Sequence, residues 1–312
     1  MAVSLKGRSL LTLLDYSHDE IRHLLDLSHQ VKRERKSGTV TRRFTGKNIA
    51  LIFEKRSTRT RCAFETAFAE EGGHPVFLSP HDIHLGVKES VEDTARVLGR
   101  MFDAIQFRGY SQKTVEILAK YSGVPVYNGL TDEFHPTQAL ADLMTLEEAF
   151  DGIGGRTIVF VGDGRNNVAR SLLIGCAKMG VNFTIASPKP LFPGRELVDT
   201  VLPIAAASGA TITITDRLDD AVTGADAVYT DVWVSMGEED RLQERTELLS
   251  PYRVDERIMK LTGSDRSIFL HCLPAVKGNE VTAEVFEGPQ SRVFDQAENR
   301  KHTVKAVMLA TL

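Results

Sequence analysis

Apolar and polar positions repeat along this chain with two different periods. Near the start, Ser17-x-x-Glu20 opens a stretch in which Ile21, Leu24, Leu25 and Val31 recur at helical spacing, so a capped amphipathic helix is predicted there. The basic run VKRERK at 31–36 closes that helix and reads as its solvated face. Short apolar runs follow at 48–53, 74–78, 103–107 and 124–128, then a second series at 157–162, 182–187, 211–215, 227–231 and 267–272. Each run has strand length and the intervals between them carry helical patterns, which implies an α/β protein with parallel sheets covered on both faces. The glycine-rich break DGIGG at 151–155 separates the two series. The prediction is therefore two doubly wound domains, 1–135 and 151–296. A helix over 136–150, with Ala139, Leu140, Leu143 and Leu146 on one face, links them, and a last helix over 297–312 packs back on the first domain.

In open sheets of this kind ligands gather beyond the carboxyl ends of the strands. The unusual polar residues fall there: Ser57 to Arg61 after the first run, Arg108 after the third, Asn166 and Asn167 after 157–162, Asp231 after 227–230, and His271 with Cys272 at the end of the last. Five such strand ends point to one cleft between the domains.

Composition narrows what that cleft holds. The 312 residues are 42% hydrophobic and 26% charged with a net charge of −4, so no general basic field calls for nucleic acid. The cations of FEKRSTRTR (53–61) are therefore a local feature suited to a small anion. Cys62, Cys176 and Cys272 are far apart and odd in number, which reads as reduced thiols of the cytoplasm. No stretch approaches 18 apolar residues, and the N-terminus has no leader pattern, so no membrane partner is expected.

Ser57-Thr58-Arg59-Thr60-Arg61 sits at a strand-to-helix turn, where free backbone N–H groups and the helix dipole favour an anion. A solvated basic turn has the same outline, but three hydroxyls beside a forked guanidinium favour phosphate. In EFHPTQ, Pro136 suits the first helical position. His135 is then either an ordinary cap or, with Gln138 one turn on, aimed at one small polar group. VGDGRNN (161–167) fails as a dinucleotide fingerprint: its third glycine position is Asn167, and the next strand ends at Ser187 rather than at an acid. Asp231 of DVWVSMG either holds an ammonium or caps the following turn. Cys272 lacks an evident activating base, since His271 is its neighbour on a strand and faces the other way. His81 and His84 make a pair with no third metal ligand.

Together STRTR, EFHPTQ, GDGRNN, DVWVSMG, HCLP (271–274) and AENR (297–300) resemble the ornithine carbamoyltransferases, in order and along the whole chain. The resemblance implies transfer of a carbamoyl group from carbamoyl phosphate to the δ-amine of L-ornithine, giving L-citrulline, with no covalent enzyme intermediate and no metal or organic cofactor. It assigns the phosphate to Ser57, Thr58, Arg59 and Thr60. Arg108, His135 and Gln138 would hold the carbamoyl end, with Arg300 closing the site. Asn167, Asp231, Ser235 and Met236 match ornithine-binding positions, and Cys272 and Leu273 would contact both substrates. In the family the loop that contains His84 here reaches into a neighbouring subunit's site, in a homotrimer or a multiple of trimers, and many bacterial members carry glutamine at that position. The rival readings are a carbamoyltransferase acting on putrescine or lysine, and a catalytically silent anion-binding homologue.

Overall fold

The computed structural model describes residues 3–79, 83, 85–86, 88–234 and 239–312. The chain divides into two compact units, Met1–Met144 with Glu298–Leu312, and Thr145–Ala297.

The first unit opens with α1 (His18–Lys36). Its capping box is complete: Glu20 N donates to Ser17 Oγ at 3.2 Å, and Ser17 N donates to Glu20 Oε2 at 2.8 Å. Then follow β1 (Asn48–Phe53), α2 (Thr58–Glu70), β2 (His74–Leu78), α3 (Val91–Met101), β3 (Ala104–Arg108), α4 (Gln112–Ser122), β4 (Val126–Leu130) and α5 (Pro136–Phe150). The four strands form a parallel sheet in the order β2-β1-β3-β4. One face packs Ala50, Ile52, Ile105, Phe107 and Val126 against Ala95 and Leu98 of α3 and Val115 and Leu118 of α4. The alternate residues Ile49, Leu51 and Tyr127 are equally buried on the other face, where the Tyr127 ring stacks with Phe64 of α2 at 6.0 Å. Burying a phenylalanine such as Phe64 or Phe68 contributes about 1.5–3 kcal/mol each.

The run predicted at 124–128 forms its strand two residues later. Apolar character ends at Tyr127, but the ladder continues through Asn128 until Leu130 pairs with Arg108.

The second unit runs through β5 (Thr157–Val161), α6 (Asn167–Met179), β6 (Asn182–Ala186), α7 (Arg195–Ser208), β7 (Ile212–Thr215), α8 (Leu218–Val222), β8 (Ala227–Thr230), α9 (Leu242–Leu249), α10 (Glu256–Leu261), β9 (Ile268–His271) and α11 (Ala283–Phe286). Its strands form a second all-parallel sheet, β7-β6-β5-β8-β9. Val159, Val161, Val228 and Phe269 on one face pack with Val222, Ile258 and Val285 of the covering helices. The final helix, α12 (Val293–Thr311), starts earlier than the predicted 297, so it begins in the second unit and ends in the first. Its end is tied down there: Gly7 N donates to Thr311 O at 2.8 Å, Lys47 Nζ to Leu312 O at 3.0 Å, and the Tyr127 and Thr311 hydroxyls lie 2.7 Å apart.

Both sheets reverse their winding between two strands, β1/β3 in the first and β5/β8 in the second. Such switch points open a crevice at the carboxyl ends of the strands. Among the described residues, no helix is long and apolar enough to cross a membrane.

Candidate functional site

At the β1/β3 switch, the chain leaves Phe53, turns, and starts α2 with Ser57 as its cap. Ser57 Oγ accepts the Thr60 N–H at 3.2 Å. The four cations of this stretch do not act together. Lys55 is buried, donates to Asp132 Oδ1 at 2.6 Å and lies 3.9 Å from the centre of the Tyr110 ring. Arg61 bonds Glu65 at 2.9 Å and lies over Phe77, and Arg56 is exposed. Thr58 is exposed, and Ser57 and Arg59 are half-buried, at the open end of the helix.

Thr60 is fully buried and is the hub of the first unit's cluster. Its Oγ1 accepts from Arg300 Nη2 at 3.0 Å and Arg108 Nη1 at 3.4 Å, and donates to Gly129 O at 3.5 Å. One hydroxyl offers one donor and two acceptors, so Thr60 bonds a ligand only by exchanging one of these contacts for it. Arg300 also donates to Gln138 Oε1 at 2.6 Å, and Gln138 Nε2 donates to Asp142 Oδ1 at 2.7 Å. Gly129 permits this convergence: a Cβ there would meet Gln106 Nε2 at 2.4 Å and Thr60 Cγ2 at 2.9 Å.

His135 precedes Pro136 at the start of α5 and is almost wholly buried. Burial, and then the charges of Arg300, Arg108 and Arg59, hold its pKa well below the usual 6.5. Its Nδ1 lies 3.3 Å from Thr137 Oγ1, which accepts from Arg300 Nη2 at 3.5 Å. The Thr137 hydroxyl pairs with Nδ1 as donor or as acceptor according to the imidazole tautomer. The first unit thus gathers two buried guanidiniums, a neutral imidazole, an amide and a helix N-terminus. That is a set of donors suited to an oxyanion.

The second unit's cluster lies at the β5/β8 switch. Asn166 caps α6, and Asn167 is the first residue of that helix. Asp231 follows β8 and is 8% exposed. Its Oδ2 accepts from Asn166 Nδ2 at 2.7 Å; its Oδ1 accepts from Val232 N at 2.8 Å and Cys272 Sγ at 3.0 Å. Three donors thus converge on the two oxygens of this one side chain. Leu273 adopts a left-handed backbone (φ 61°) and donates its N–H to His271 Nδ1 at 2.8 Å.

The ligand atoms of Asp231, His271 and Cys272 lie within 4.8 Å of one another. His271 is nevertheless engaged on both nitrogens, with Glu280 Oε1 at 3.2 Å from Nε2, so this trio does not present three open metal ligands. The strand ends at His271, so His271 and Cys272 lie close together instead of facing opposite ways as expected, but both ring nitrogens are engaged elsewhere.

The structure therefore brings Ser57, Thr60, Arg108, His135, Gln138 and Arg300 into one bonded group, with Thr58 and Arg59 in the same helical turn. It brings Asp231 and Cys272 into another, with Asn167 and Leu273 adjacent in sequence. His84, Ser235 and Met236 lie outside the described residues. Thr137 belongs to these groups but was not singled out from sequence, and Asn166, noted there as a strand-end residue, was given no role of its own. The cap pattern before 167 was the available signal for Asn166.

Residues 8–148 match the model of the aspartate/ornithine carbamoyltransferase carbamoyl-P binding domain, and residues 154–311 match that of the Asp/Orn binding domain. The ornithine carbamoyltransferase of Caldanaerobacter subterraneus subsp. tengcongensis is 68% identical over 312 residues, covering all of both chains; that of Thermotoga maritima is 66% identical over the same span. The solved ornithine carbamoyltransferase of Pyrococcus furiosus superposes with a TM-score of 0.96 at 45% identity, covering 99% of this chain and 98% of that one. With both domain models matched in order and relatives this similar over their full length, the chain belongs to the ornithine carbamoyltransferases, within the aspartate/ornithine carbamoyltransferase family.

Proposed function

We propose that the protein transfers the carbamoyl group of carbamoyl phosphate to the δ-amine of L-ornithine, giving L-citrulline and phosphate. The observation that carries the choice of acceptor is Asp231. A carboxylate fixed by Asn166, Val232 and Cys272 suits an α-ammonium and would repel the second carboxylate of aspartate.

In this reading the first unit is the carbamoyl phosphate domain. Ser57, Thr58, Arg59 and Thr60 hold the phosphate at the α2 N-terminus with Arg300. Arg108, His135 and Gln138 hold the carbamoyl group. The second unit is the ornithine domain, with Asn167, Asp231, Ser235 and Met236 around the amino-acid head, and Cys272 and Leu273 touching both reactants. The neutral δ-amine attacks the carbamoyl carbon, the bond from that carbon to the phosphate oxygen breaks, and the amine's surplus proton leaves with the phosphate. Charge grows first on the carbonyl oxygen, where Arg108 and the neutral His135 donate hydrogen bonds, and then on the departing phosphate, held by the α2 turn. Cys272 is a contact and not a nucleophile: its thiol donates to Asp231. The enzyme works in the cytoplasm as a homotrimer or a multiple of trimers, with the segment containing His84 donated to a neighbouring subunit.

The test is a carbamoyl-transfer assay offering ornithine, lysine, putrescine and aspartate side by side. Ornithine is expected to be carbamoylated far faster than the rest, and a preference for any other amine would overturn the assignment. In the same assay Arg59→Lys, which keeps the charge and loses the fork, weakens carbamoyl phosphate binding by about 2–3 kcal/mol. Near-normal affinity in that variant would remove Arg59 from the phosphate site.

A further inference from the structure

Asn166 has two duties fixed by one amide. Its Oδ1 accepts from Val168 N at 2.6 Å and Ala169 N at 3.4 Å, capping α6. This leaves its Nδ2 facing the other way, donating to Asp231 Oδ2 at 2.7 Å. Because the helix end can only donate, the amide cannot flip without losing the cap. The two residues are 65 apart in sequence, at the ends of neighbouring strands β5 and β8. The cap thus ties the position of a helix end to the position of one carboxylate oxygen.

We propose that Asn166 is a positioning residue for substrate choice: it holds the Asp231 carboxylate in the orientation that recognises an α-ammonium. Serine, threonine and aspartate also cap helices, but none can cap with an oxygen and donate an N–H at the same time. Asparagine is the one common cap that does both. Without its donor, Asp231 keeps the Val232 and Cys272 bonds, both on Oδ1, and is free to turn about them. The inference rests on the reading of Asp231 as the ornithine anchor.

The experiment compares Asn166→Ser, Asp231→Asn and the double variant at saturating carbamoyl phosphate. The acceptors are ornithine and 5-aminopentanoate, which is ornithine without its α-ammonium. Serine preserves the cap, so thermal stability and the KM for carbamoyl phosphate are expected to hold. The KM for ornithine rises roughly ten-fold, the scale of one charge-assisted hydrogen bond. The preference for ornithine over 5-aminopentanoate falls by the same factor, and adding Asn166→Ser to Asp231→Asn changes little further. Equal losses for both acceptors, or an unchanged ornithine KM, would overturn the positioning role. An Asp231→Asn protein with normal ornithine KM would instead overturn the reading beneath it. Should Asn166→Ser fold poorly, Asn166→Asp keeps cap and shape while replacing the donor with an acceptor, and the same loss of ornithine preference is expected.

Discussion

His135 illustrates how a single residue's surroundings set its chemistry. Burial and three nearby guanidiniums keep it neutral, which suits the hydrogen-bonding role proposed for it rather than proton delivery. Its folded pKa lies below the unfolded value near 6.5, so as pH falls below 6.5 the unfolded chain takes up a proton that the folded chain refuses. Stability from this residue is present above that pH and is lost on acidification, at no more than about 1.4 kcal/mol per pH unit. A carbon-detected NMR titration of the unliganded protein is expected to show the His135 ring neutral at pH 6. Denaturant unfolding should find His135→Gln losing less stability than the parent on acidification below pH 6.5; a ring that protonates near 6.5 would contradict the electrostatic picture of the pocket. The box at Ser17 was legible because its partner lies three residues away. The hub at Thr60 was not, because Arg300 is 240 residues distant and only the folded chain brings them together. Nor was it legible that Lys55 is engaged by the distant Asp132, whereas the Arg61–Glu65 pair has the i,i+4 spacing of helix neighbours.

At the scale of elements, strands and helices followed the period of apolar residues, and the departures came where hydrogen bonding outran hydrophobicity. β4 continues through Asn128 and Gly129 because its neighbour still offers partners, and α12 starts earlier than its polar residues suggested. The join of α2 to α12 rests on charge as well as packing. Glu71, the cap residue after α2, is 2% exposed; it accepts from Thr41 Oγ1 at 2.7 Å and Arg43 Nη2 at 2.8 Å, with Lys305 of α12 at 3.3 Å. Burial alone would raise its carboxyl, but the bonds from Arg43 and Thr41 and the charge of Lys305 outweigh it and hold the pKa at about 2 rather than 4.5. A depressed carboxylate contributes stability above pH 4.5 that is lost as pH falls toward 2. Glu71→Gln is therefore expected to be less stable at neutral pH and to show a flatter acid dependence between those values, read by urea unfolding across a pH series. An unchanged acid profile would mean that the tie is not electrostatic.

At the scale of the whole molecule, the proposed sharing of a site between subunits can be tested by mixing. If the segment with His84 is donated to a neighbour, inactive Arg59→Ala and His84→Ala proteins should regain activity once their subunits exchange, because some sites in a hybrid trimer receive no damaged group. Exchange verified by mass spectrometry without recovered turnover would place His84 within its own chain's site or outside the reaction. The first unit carries a different consequence of connectivity, since its sheet comes from the first half of the chain and its last helix from the end. A ribosome adding 5–20 residues per second needs on the order of ten seconds or more to travel from residue 144 to 312. Throughout that interval the nascent sheet stands without α12, and Thr60 and Gln138 wait for the guanidinium of Arg300. The proposed phosphate site is thus among the last parts of the molecule to mature, and a chain halted in translation holds it unfinished.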